Sequence, residues 1–134
     1  MKTEYFDLKK KRALVSGGAS GIGSSIVEHF CEQGVEVYFF DINKKLAQKT
    51  LKRIKKKNIK IPTFIECNVK NIKKYKSSIL SIIKKKGPID ILVNNASNDQ
   101  RHSLEHITEK YWDDRMSINL KHYLFAIQTV KKSM

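Results

Sequence analysis

Nowhere in these 134 residues is there an apolar run approaching the ~18 that a membrane-spanning helix needs, so no spanning helix is expected. Cysteine is scarce. The two present, Cys31 and Cys67, come with no other secretory sign and predict buried thiols in a reducing compartment. The opening residues Met1-Lys2-Thr3-Glu4-Tyr5-Phe6-Asp7 carry acids where a secretory leader would have its apolar stretch, which points to a cytoplasmic chain. Acids are few, 13 against 27 bases, for a formal charge of +14. Arginine is scarcer still, four residues against 23 lysines. A nucleic-acid surface would gather arginine, lysine and stacking aromatics on one face. Here Lys55-Lys56-Lys57 and Lys84-Lys85-Lys86 fall where helices should end, meeting the negative end of the helix dipole. No specific nucleic-acid partner is expected.

What is present is globular: 40% apolar and 30% charged residues, with no internal repeat, no linker and no low-complexity segment beyond the lysine runs. A chain of this size supports one core, so residues 1–134 are read as a single domain. Lys11 to Ser16 reads as a buried strand. Ile22, Ile26, Val27 and Phe30 then recur at helical spacing up to Gly34. Val35 to Phe40 is a β-branched and aromatic strand closing at Asp41, and Leu46, Leu51 and Ile54 mark a second helix. Ile59 to Ile65 predicts a third strand, at an edge because Pro62 lacks a donor. Ile72, Tyr75, Ile79, Ile82 and Ile83 form a helix stripe ended by Gly87-Pro88. Ile89 to Val93 is a fourth strand, and Leu104 to Lys132 is helical, with Ile118, Tyr123, Leu124, Ile127 and Val130 apolar. This alternation predicts an α/β fold, a parallel sheet covered by helices on both faces.

The most informative stretch is Ser16-Gly17-Gly18-Ala19-Ser20-Gly21-Ile22-Gly23, between the first strand and first helix. Such a loop lets bare backbone approach a pyrophosphate and aims helix N-terminal amides at the anion. Its spacing, Gly-x-x-x-Gly-x-Gly, resembles the loop of the short-chain dehydrogenase/reductase family, with Ser16 in place of the family threonine. Asn94-Asn95-Ala96-Ser97 resembles that family's Asn-Asn-Ala-Gly, and Ile118-Asn119-Leu120 resembles the segment carrying its catalytic asparagine. Cys67-Asn68-Val69 lies where many members have an acid facing the adenine, and the oxygen of Asn68 is expected to accept from the adenine amine.

The resemblance implies a doubly wound Rossmann sheet of order 3-2-1-4-5-6-7, of which this chain supplies 3-2-1-4. It also implies that Gly17, Gly21, Ile22 and Gly23 cradle the pyrophosphate, with Ser16 and Ser20 also among the cofactor-binding residues, Asn68 and Val69 at the adenine and Asn95 and Ala96 on the floor. Asp41, 18 residues after Gly23, is placed for the adenosine ribose hydroxyls and would repel the 2′-phosphate of NADP, so NAD is the expected cofactor.

Family chemistry is hydride transfer at a hydroxyl or carbonyl carbon, with a serine and a Tyr-x-x-x-Lys pair that follow the fifth strand. The chain ends before them, so it is expected to bind cofactor without catalysing, Asn119 alone of the catalytic set being present. Tyr5 to Lys9 matches the spacing but precedes the first strand, at the wrong end of the sheet. The run Asn98-Asp99-Gln100-Arg101-His102 resembles the aldose 1-dehydrogenase branch, suggesting a sugar substrate met by Arg101 or His102. His102-Ser103-Leu104-Glu105-His106 also fits an inverted zinc-protease pattern, but that needs a helix presenting both histidines; the segment leaves a loop instead, only Glu109, Asp113 and Asp114 follow nearby as carboxylates, and no metal is expected. By resemblance the last helix belongs to a dimer interface, which would leave Leu120, Leu124 and Ile127 seeking a partner and makes a homo-oligomer the expected assembly. Two other classes are weighed beside the enzyme fragment: a non-catalytic nucleotide-binding or interaction module, and a basic nucleic-acid binder.

Overall fold

A computed structural model describes residues 3–134. Four parallel strands, β1 (Arg12–Ser16), β2 (Glu36–Asp41), β3 (Thr63–Glu66) and β4 (Ile91–Val93), form a sheet of order β3-β2-β1-β4. Helices α1 (Gly21–Glu32), α2 (Lys44–Lys55) and α3 (Ile72–Lys86) are the crossovers. After β4 the chain makes a 3₁₀ turn at Leu104–His106 and then a long helical stretch. This comprises α4 (Glu109–Met116), a π-helical segment (Ser117–Lys121) and α5 (His122–Val130).

Strand alternation builds two cores, as a sheet buried on both faces requires. Ala13, Val15, Val37 and Phe39 face one side and pack with Val27 and Cys31 of α1 and Ala47 and Ile54 of α2. Leu14, Tyr38 and Phe40 face the other and pack with Tyr75, Ile79 and Ile82 of α3 and Ala126 and Val130 of α5. Both cysteines are free and buried, and burial pushes the Cys31 thiol up to about 12. No helix among the described residues is long and apolar enough to cross a membrane.

Three element starts differ from the sequence expectation by two residues or more, each for a local reason. β3 begins at Thr63, paired with Tyr38, rather than at Ile59, because Pro62 cannot donate to the ladder. β4 begins at Ile91 rather than Ile89, since the Asp90 carboxylate takes the Arg12 amide at 2.8 Å, a donor that a longer ladder would use. The helix expected from Leu104 starts at Glu109, where Thr108 caps it by accepting from the Tyr111 amide at 3.2 Å.

Sheet order reverses between β1 and β4. Open α/β sheets place ligands in the crevice at that point, beyond the carboxyl ends of the strands.

Candidate functional site

The segment leaving β1 is built for backbone approach. Gly17 and Gly18 both donate to the Phe40 carbonyl, at 2.7 and 3.2 Å, tying the loop to the end of β2. A Cβ at Gly23 would lie 1.9 Å from the Gly17 oxygen, so only glycine lets α1 start this close to the loop. Gly21 holds φ +51°, and a Cβ there would meet no atom within 4 Å, only open space. The start of α1 also lacks a cap: Ser20 makes no side-chain bond to a first-turn amide. By contrast Asn43, Asn71 and Thr108 cap α2, α3 and α4 by accepting from Leu46, Lys74 and Tyr111. The α1 amides are therefore left for something else, at the positive end of the helix dipole.

They border a cavity of about 700 Å³ over the carboxyl ends of the strands. Of the residues expected to hold a dinucleotide, Gly17, Ser20, Gly21, Ile22, Gly23, Asp41, Asn68, Val69, Asn95 and Ala96 all line it. Asp41 is rigidly set, one carboxylate oxygen accepting from the Ala19 amide at 3.0 Å and the other from Asn43 at 2.9 Å. The Asn68 oxygen is already held by the Lys70 amide at 3.0 Å in a local turn. Burial pushes the neighbouring Cys67 thiol up, so it stays protonated.

Ser16 is fully buried beneath the floor. Its Oγ accepts from the Asn95 and Ala96 amides at 3.0 and 3.1 Å, while the Asn95 side chain donates to the Ser16 and Gly17 carbonyls, both at 3.0 Å. The segment after β4 is thus stitched to the glycine loop from both directions.

Other expected residues lie apart from the cavity. Arg101 and His102 are exposed, and the His102 ring stacks on the Tyr111 ring at 4.1 Å, with the Arg115 guanidinium 4.7 Å from the Tyr111 ring. Asn119 sits in the π-helical segment, where its side chain accepts from the Asn98 amide at 2.8 Å and donates to the Asn98 carbonyl at 3.0 Å. That pairing fixes the loop leading away from β4. Tyr5 and Lys9 lie before β1, and Lys9 pairs with Glu4 at 3.4 Å. His106 bonds Ser103 at 2.5 Å, and no metal-ligand cluster exists among the described residues.

The sequence profile of the short chain dehydrogenases matches residues 11–134. The chain belongs to the short-chain dehydrogenase family. Its similarity to the D-xylose 1-dehydrogenase of Caulobacter vibrioides is 38% identity over 130 residues, covering 97% of this chain and 50% of that one. Among solved structures, the aldohexose dehydrogenase of Thermoplasma acidophilum superposes with a TM-score of 0.81 at 29% identity, covering 97% of this chain and 46% of that one. A blue fluorescent protein from a metagenomic library, in complex with NADPH, gives 0.84 at 28% identity, covering 95% and 52% respectively. The chain spans about half the length of the curated relatives it matches.

Short-chain dehydrogenases are oxidoreductases that bind nicotinamide dinucleotides, and the cavity suits such a group on its own terms. Free first-turn amides await an anion, open space lies over Gly21, and the oriented Asp41 carboxylate also faces the cavity. One residue escaped the sequence reading. His122 is fully buried and bonds Ser16, directly under the floor. The only signal was a histidine among the apolar residues of the last helix.

Proposed function

We propose that this chain is the cofactor-binding portion of an NAD-dependent short-chain oxidoreductase acting on a sugar or a similar polyhydroxylated compound. The uncapped start of α1, opening on the cavity where sheet order reverses, is the observation that carries this reading. The amides of Gly21, Ile22 and Gly23 would hold the diphosphate, with Gly17 and Ser20 bordering it. Asp41 would accept from the adenosine ribose hydroxyls. Asn68 and Val69 would flank the adenine, with Asn95 and Ala96 forming the floor. The nicotinamide, when bound, supplies the capacity to accept or donate a hydride.

NAD is favoured over NADP because both Asp41 oxygens are fixed by backbone donors, which positions the carboxylate where a 2′-phosphate would come. Lys44 and Lys45 are exposed on α2, and neither is held toward Asp41 by a bond. The sugar assignment draws on the relatives named for xylose and aldohexose, and on the polar run Asn98 to His102, of which Asp99 lines the cavity. In this reading Arg101 and His102, outside the cavity, are the groups of this chain that meet substrate. Asn119 serves by holding the Asn98 backbone, and the chain on its own binds the dinucleotide without turnover.

Calorimetric titration tests this. NAD should bind more tightly than NADP, and Asp41→Ala should weaken NAD about tenfold or more, the loss of charge-assisted bonds. Equal affinity of the wild-type chain for both dinucleotides, or an unchanged Asp41→Ala variant, contradicts the reading.

A further inference from the structure

His122 carries a constraint that follows from donor and acceptor chemistry alone. Its Nδ1 lies 2.6 Å from the Ile118 carbonyl oxygen, which can only accept, so Nδ1 must bear the proton. A neutral ring then offers a bare Nε2, and this atom is 3.2 Å from the Ser16 hydroxyl. Ser16 Oγ already accepts from two amides, Asn95 and Ala96, which uses both lone pairs. Its one proton is left to donate, and Nε2 is a closer acceptor than the Val93 carbonyl at 3.5 Å. Ser16 and His122 are matched in this arrangement, while the Tyr75 hydroxyl, buried on the Ser16 side, has no hydrogen-bond partner among the described residues.

We propose that His122 is a positioning residue which, as the neutral Nδ1–H tautomer, turns the Ser16 hydroxyl so that Ser16 clamps the Asn95–Ala96 floor onto the glycine loop. Protonation at Nε2 breaks the match. The new N–H faces an oxygen whose lone pairs are taken, so it competes with the two amides. The hydroxyl proton is displaced toward the distant Val93 carbonyl, and the floor loosens beside the loop.

The surroundings resist that protonation. Tyr75 of α3 meets the imidazole edge-on at 5.9 Å, and Tyr123 of its own helix does so at 4.5 Å. Burial holds the Tyr75 phenol neutral and depresses the His122 pKa below its ordinary value. Ser16 of β1 is the side chain bonded to it, and among the described residues no acid or base adds a charge to its surroundings. Neutral His122 is thus the resting state near neutrality, and the tie is lost only on acidification.

The consequence for affinity rests on the dinucleotide reading above; the tie itself does not. In the full chain, nitrogen NMR should show His122 protonated at Nδ1 and bare at Nε2 near pH 7. On acidification the Asn95 and Ala96 amides should shift with the midpoint of His122. NAD affinity should fall about tenfold as acidification carries His122 through that midpoint, which burial sets below the ordinary imidazole value. His122→Gln, which cannot take up the proton, should lose this dependence, and Ser16→Thr, which keeps the hydroxyl, should retain it. A proton on Nε2 at pH 7, floor amides indifferent to the His122 titration, or an unaltered pH profile in His122→Gln each overturns the proposal. Absence of NAD binding at any pH, with the tautomer and amide shifts as stated, overturns the dinucleotide reading and leaves the positioning role in place.

Discussion

A glycine side chain is a hydrogen, and at Gly23 that is what the loop requires. The would-be Cβ falls 1.9 Å from the Gly17 carbonyl oxygen and 2.5 Å from the Asn95 side-chain Nδ2, which are bonded to each other. Neither can withdraw without parting α1 from the floor. Gly23→Ala should therefore destabilise the chain by about 1–3 kcal/mol or more, read from urea unfolding, and should weaken dinucleotide binding. Much of this site was legible in residue order, because glycine spacing and an acid closing the second strand are local signals. His122 was not legible, since its role depends on α5 crossing beneath β1, a contact 106 residues apart in sequence. Asn119 was seen as catalytic by resemblance, and its side chain is taken up by the Asn98 backbone.

At the scale of elements, helix starts divide by purpose. α3 relies on its cap, with Asn71 Oδ1 accepting from Lys74 at 3.0 Å, whereas Ser20 contributes no such bond to α1. Asn71→Ala should cost about 1 kcal/mol, while Ser20→Ala should stay within about 0.5 kcal/mol. Paired thermal melts check this, and equal losses would show that α1 is capped for stability after all.

Helices α1 and α2 are joined by Glu28, which pairs with Arg53 at 2.7 Å and with Lys57. The Lys57 bond, then Arg53, hold the Glu28 carboxyl below its ordinary value against the opposing effect of burial. A depressed folded pKa contributes stability above the unfolded value, and loses it as pH falls through the folded one. Melting temperature should accordingly drop below about pH 4, and Glu28→Gln should flatten that drop while lowering stability near neutrality. Strand and helix order was readable from periodicity, whereas the starts of β3 and β4 turned on single residues, Pro62 and Asp90, which act through neighbouring strands.

For the whole molecule, the outer face of the last helical stretch is the feature that packing does not cover. Leu120, Leu124 and Ile127 are 54%, 55% and 49% exposed, at spacings that line one side. The sheet also ends on β4, whose outer edge has no strand beside it among the described residues. Self-association should follow, favoured by apolar contact and opposed by the +14 charge, so that added salt strengthens it. Sedimentation velocity should show mass rising with concentration, and Leu124→Lys should return the chain to a monomer.

The central claim is that the bare amides opening α1 hold a dinucleotide's diphosphate. It is tested most directly by titrating NAD into uniformly nitrogen-labelled chain and following the amide spectrum. The amides of Gly21, Ile22 and Gly23 should move first and furthest, with those around Asp41 following at the same apparent affinity. Shifts confined to the lysine-rich helix ends, or a spectrum that does not change, would contradict it.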